Sequence, residues 1–89
     1  MKSKGRRSVQ ERVVDAIVAV TGRNEEDVTL DAVLSTDLAI VEIDLVEMVM
    51  LLEDEFDFAI DEDAADAWRH VRDVVRYLEK QIGEEDRQP

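Results

Sequence analysis

The chain has 89 residues, 45% of them hydrophobic and 38% charged, with no cysteine and a formal net charge of -12. That length holds one core, and the missing cysteines exclude a disulfide framework or a thiolate metal site. Leu, Ile, Val and Phe supply 27 of the 89 residues, above the roughly 20% below which disorder is expected, so the chain folds.

The charge is unevenly spread. Between Arg23 and Arg69 there are 16 acidic side chains and no basic one, while the rest of the chain carries 7 acidic and 11 basic residues. A one-signed stretch of this kind repels the phosphates of nucleic acids and anionic lipid headgroups, so neither is expected as a partner. Basic protein surfaces are favoured instead. No apolar run reaches the ~18 residues of a membrane span, and the basic start is followed by an amphipathic segment rather than a signal core. The expected localisation is cytoplasmic, and the expected state is a monomer.

In chain order, Met1 to Arg7 lacks apolar periodicity and reads as a flexible basic tail, leaving residues 8–83 as the domain and 84–89 as a C-terminal tail. Ser8 followed three residues later by Glu11 is a capping box, in which each side chain bonds the other's backbone N–H. Val9, Val13, Ala16, Ile17 and Val20 then recur at helical steps until Gly22, which predicts a first helix over 9–21. Arg23 to Val41 has no period and reads as a long loop, pinned to the bundle by Val28, Leu30, Val33, Leu34, Leu38 and Ile40.

Residues 42–56 hold no Gly or Pro and place acids in the first turn, where the helix dipole favours them, so they form a second helix. It carries two apolar stripes. Leu45, Met48, Val49, Leu52 and Phe56 form one that faces the core. Ile43, Val46 and Met50 form another, flanked by Asp44, Glu47 and Asp54. The second stripe is either buried, making the helix central, or an exposed patch rimmed by carboxylates. A short third helix over 62–68 and a fourth over 71–82 ending at Gly83 complete an all-α, four-helix bundle.

No catalytic constellation is visible. His70, the sole histidine, has no serine near it and reads as a capping or surface residue. Asp61, Glu62 and Asp63 lack the alternation, glycine and distal Glu of a calcium loop, and the three glycines are isolated, so neither a metal site nor a phosphate cradle is expected. Trp68 and Tyr77 read as packing residues.

The pieces Glu11-Arg12-Val13, Glu25-Glu26-Asp27-Val28-Thr29, Asp37-Leu38, Val46-Glu47-Met48-Val49-Met50, Leu52-Glu53-Asp54-Glu55-Phe56 and the segment from Ile60 to Tyr77 are individually weak. In their order and spacing, without a gap from about Val9 to Lys80, the chain resembles the acyl carrier protein family. The resemblance implies an acyl-carrier-like bundle with a long first loop, no enzymatic activity of its own, and a place in fatty-acid or polyketide metabolism. In that family a Gly-x-Asp-Ser-Leu motif opens the second helix, and its serine is esterified with 4'-phosphopantetheine.

Here the matching stretch is Ala39-Ile40-Val41-Glu42-Ile43-Asp44, so the family's glycine falls on Ala39, its aspartate on Val41 and its attachment serine on Glu42. A carboxylate is a poor nucleophile toward the coenzyme A pyrophosphate and would give an unstable mixed anhydride, so no modification of Glu42 and no resident cofactor are expected. Three readings of Glu42 stay open: a relic, an anionic helix start, or a fixed charge imitating a loaded carrier. The resemblance further implies that Ile43, Val46 and Met50 form an outer apolar patch, and that Asp44, Glu47, Glu53 and Asp54 meet basic residues of enzymes of acyl metabolism. Two functions follow as expectations. One is a carrier-like interaction or regulatory protein without a covalent acyl group; the other is a working carrier that attaches its prosthetic group in an unorthodox way.

Overall fold

Capping decides where the first helix begins. In the computed structural model, which describes residues 7–86, the Glu11 N–H donates to Ser8 Oγ at 3.0 Å and the Ser8 N–H to Glu11 Oε1 at 3.1 Å. Helix α1 runs Val9–Thr21 and stops at Gly22, whose φ of 76° is the left-handed conformation that glycine adopts without penalty. Met1 to Arg6 of the expected basic tail and 87–89 of the expected C-terminal tail lie outside the described residues. Arg7 is paired with Asp15 on α1.

Among the described residues there are four α-helices and no strand: α1, α2 (Glu42–Phe56), α3 (Glu62–Asp66) and α4 (Val71–Asp86), with one 3₁₀ turn at Glu25–Asp27. The bounds of α1 and α2 are those predicted. Helix α3 is two residues shorter than expected, because the Ala67 and Trp68 amides reach back only three residues, to the carbonyls of Ala64 and Ala65. Beyond it, Trp68 lies edge-on to Tyr77, with ring centroids 5.6 Å apart. Helix α4 passes through Gly83 rather than ending there, so residues 84–86 of the expected tail are helical. A glycine inside a helix costs only about 1 kcal/mol relative to alanine, and no proline follows until Pro89.

Helix α1 packs against both α2 and α4. Val13 and Ile17 from α1, Met48 and Leu52 from α2, and Val71, Val74 and Leu78 from α4 are all 0% exposed. Full burial of one such side chain is worth about 1.5 to 3 kcal/mol, so these seven dominate the core. Arg12 ties α1 to the far end of α2: its Nε donates to Glu55 Oε2 at 2.9 Å, and its guanidinium lies 4.1 Å from the Phe56 ring centroid.

The long loop is pinned as expected by Val28, Leu34, Leu38 and Ile40, which are buried, whereas Leu30 is exposed and Val33 half-buried. It is also stitched to the segment between α3 and α4. The Leu34 N–H donates to the Arg69 carbonyl (2.8 Å), the Val71 N–H to Ala32 (3.1 Å) and the Arg72 N–H to Leu30 (3.1 Å). Val33 and His70 form an isolated antiparallel bridge, and Arg72 pairs with Asp31.

The start of α4 holds a carboxyl tied to two backbone amides. Asp73 Oδ2 accepts from the backbone N–H groups of His70 and Arg69, both at 2.9 Å. The His70 bond first and the Arg69 bond second favour its ionised form and hold its carboxyl below the ordinary aspartate range. A depressed folded-state value contributes stability that is fully present above the unfolded value, about 3.9, and is lost as pH falls through the folded value. Urea unfolding followed from pH 7 down to pH 2 is therefore expected to show an acid loss of stability that is smaller in Asp73→Asn, whose neutral-pH stability is also lower.

Candidate functional site

The entry into α2 is set by the loop before it. Leu38 is buried, its carbonyl accepts from Arg23 Nε at 3.4 Å, and the Ile40 N–H donates to the Leu34 carbonyl at 2.9 Å. Between these fixed points Ala39 takes φ 54°. That left-handed conformation costs a residue with a Cβ roughly 1 to 2 kcal/mol, which is the physical reason a glycine suits this position.

Val41 is the N-cap of α2 and has no side-chain acceptor, so only half of a capping box forms: the Val41 N–H donates to Asp44 Oδ2 at 3.2 Å. Glu42 is the first helical residue and is exposed. It sits where two clefts meet. One of about 460 Å³ lies between the loop, the start of α2 and the Trp68–His70 turn. The other, of about 400 Å³, lies between α2 and α3 and is walled by Leu45, Val49, Ile60 and Ala65.

At ~100° per residue, Ile43, Val46, Glu47, Met50 and Asp54 fall in a sector of α2 about 100° wide, opposite Met48 and Leu52. The two stripes therefore separate. The inner one is buried or half-buried, while Ile43, Val46 and Met50 are 70%, 55% and 62% exposed. Of the six exposed large hydrophobic side chains among the described residues, four (Ile43, Val46, Met50 and Leu51) are on α2 and a fifth, Val41, is its N-cap. An aggregated apolar surface of this kind marks an interaction site.

The acids expected beside this stripe divide into two groups. Among the described residues Glu47 and Asp54 make no side-chain hydrogen bond or ion pair, and both are exposed. Asp44 and Glu53, on the flanks, are half-buried and already hold backbone: Asp44 the Val41 amide, and Glu53 the Ile60 amide at 2.8 Å. Sequence reasoning assigned Leu51 to neither stripe, yet it is 42% exposed. Its position directly after Met50, at the edge of the outer sector, was the available signal.

No other chemistry gathers around the helix. Among the described residues no group of three or more His or acidic side chains is arranged to hold a metal ion. From Asp37 to Arg76 the sequence has no serine, threonine or tyrosine, so neither α2 nor α3 offers a hydroxyl. Ser35 and Thr36 lie before this stretch, exposed on the loop.

The structure is thus an all-helical bundle whose second helix presents an apolar and acidic surface to the outside. Residues 11–78 match the family described as "Phosphopantetheine attachment site". The chain is 40% identical over 76 residues to the acyl carrier protein of Amoebophilus asiaticus, covering 85% of this chain and 95% of that one. It is 37% identical over 70 residues to that of Exiguobacterium sibiricum, covering 79% and 89%. A solved structure from Mycobacterium tuberculosis, ascribed to an acyl carrier protein, superimposes with a TM-score of 0.77 at 27% identity, over 83% of this chain and 99% of that one. The chain belongs to the acyl carrier protein family and is a carrier-type protein, not an enzyme. None of the described helices is long and apolar enough to cross a membrane.

Proposed function

We propose that this acyl-carrier-family protein carries no covalent acyl group and works as a non-covalent interaction or regulatory partner of enzymes of fatty-acid or polyketide metabolism. It engages basic surfaces on those enzymes through Ile43, Val46, Met50, Glu47 and Asp54, as a monomer in the cytoplasm. Asp44 and Glu53 border this surface and hold its ends in shape.

The carrying observation is Glu42 at the first position of α2, in a stretch from Asp37 to Arg76 without a hydroxyl side chain. The family's prosthetic group is joined to a serine hydroxyl, and a carboxylate there is a poor substitute, so the residues at the start of α2 do not fit 4'-phosphopantetheine. Of the readings of Glu42, an anionic helix start has local support. A carboxylate in the first turn is favourable by about 0.3 to 1 kcal/mol, and Val41 supplies no side-chain cap.

The test is to incubate the protein with coenzyme A and a broad-specificity phosphopantetheinyl transferase and weigh it intact. The expected mass is unchanged. A gain of one phosphopantetheine arm, mapped to Ser35 or any other residue, replaces this reading with that of a working carrier using an unorthodox attachment point.

A further inference from the structure

The chain doubles back just before α1. Ser8 caps the helix, yet Arg7, one residue earlier, pairs with Asp15, two turns into it. Asp15 lies about 10 Å along the axis from Ser8, so the Arg7 side chain runs up the outside of α1 instead of away from it. There it borders a groove of about 190 Å³ between α1 and α2, walled by Ala16 and Ala19 on one side and by Leu51 and Glu55 on the other. The short side chains of the alanines leave room for a backbone.

The acids around this groove are not equivalent. Asp15 is taken by Arg7 and Glu55 by Arg12. Glu47 and Asp54, four residues before Leu51 and three after it, are its neighbours on the surface of α2. Both are exposed and have no partner among the described residues. No Lys or Arg occurs from Asn24 to Trp68, so no cation close in sequence can meet them. Residues 1–6, by contrast, carry Lys2, Lys4 and Arg6 at alternate positions. An extended chain presents such a set on one side, about 6.6 Å apart, close to the 6 Å or so between four-residue neighbours on a helix.

We propose that residues 1–6 continue from Arg7 along this groove and lay their cations on Glu47 and Asp54, so that the chain covers its own acidic face and a basic partner must displace it. The contact within the chain stands on the course of Arg7; the competition rests on the docking role of α2 proposed above. The reach is sufficient. From Lys2 to Arg7 an extended chain spans up to roughly 17 Å, whereas Glu47 is one helical turn from Leu51. A tether this short holds the segment at an effective concentration on the order of millimolar, far above that of a second copy in a micromolar solution.

The chain has no cysteine, so Ser3→Cys places a single nitroxide label in the whole protein. Broadening of the ¹⁵N-labelled amides is expected to be stronger at Ala19, Glu47 and Leu51 than at Val9 and Glu11, beside the start of α1. Adding Lys2→Gln, Lys4→Gln and Arg6→Gln is expected to remove it from the groove. Unlabelled, the same triple variant is expected to bind a carrier-dependent acyltransferase at least about threefold more tightly at low salt, a difference that closes at 1 M salt. Broadening that is strongest at Val9 and Glu11 and indifferent to the three substitutions overturns the contact. Broadening of the groove in a mixture of labelled ¹⁴N protein and unlabelled ¹⁵N protein assigns the site to a second copy, which also overturns it. Weaker binding of the enzyme by the triple variant makes the segment a contact for the partner and overturns the competition. An enzyme affinity indifferent to reversal of Glu47 and Asp54 overturns the docking role of α2 and the competition with it, and the broadening then decides the contact within the chain.

Discussion

Reversing Glu47 and Asp54 together to lysine is expected to weaken binding to a carrier-dependent acyltransferase by about 100-fold at low salt, or roughly 2.7 kcal/mol. Both carboxylates are exposed and unpaired among the described residues, so nothing inside the protein compensates for their loss or is damaged by it. The effect falls mainly on the association rate, because rim charges steer encounter more than they hold the complex. It also shrinks as salt is raised, since screening shortens from about 10 Å at 0.1 M to about 3 Å at 1 M. Surface plasmon resonance at several ionic strengths reads both quantities. An affinity that is unchanged and insensitive to salt would show that α2 is not the contact surface.

Leu52→Ala is expected to cost about 2 to 5 kcal/mol, a large part of the 5 to 15 kcal/mol that holds a small domain together. Leu52 is 0% exposed and on the side of α2 that packs against the core, so its truncation leaves a cavity with no route for solvent. Thermal unfolding followed by circular dichroism should show a drop of roughly 10 to 30 °C. Met50→Ala, on the opposite side of the same helix, is expected to change stability by less than about 0.5 kcal/mol. If the two substitutions cost the same, the separation of α2 into a buried and an outward face is wrong.

Much of the bundle was legible because its signals are local. Ser8, Glu11 and Gly22 bound α1 through contacts three or four residues apart, and the absence of breakers over 42–56 bounds α2. The junction between α3 and α4 was less so. The bonds from Leu34 to Arg69 and from Val71 to Ala32 join residues more than thirty positions apart, and such pairings leave no periodic trace. The end of α4 was misplaced for a different reason: glycine permits a helix stop without requiring one.

The site was half legible. Periodicity grouped Ile43, Val46 and Met50, but the same spacing suits a buried stripe, and only the position of α1 decides which stripe faces out. Sequence also gave Asp44, Glu47, Glu53 and Asp54 equal standing. The structure engages two of them with backbone amides, distinctions that depend on where Val41 and Ile60 return to the helix. Ala39 shows the converse. Its place in a motif marked it as a departure, and its positive φ shows what that departure costs.

The stretch without hydroxyls has a bearing on regulation. With no Ser, Thr or Tyr from Asp37 to Arg76 and no Lys or Cys from Asn24 to Trp68, α2 offers nothing to a kinase, an acetyltransferase or a thiol oxidant. Its charge is set once, at synthesis. Occupancy of this face then follows the concentration and basicity of whatever competes for it, and the covalent change left open to its apolar stripe is oxidation of the exposed Met50 thioether to the sulfoxide.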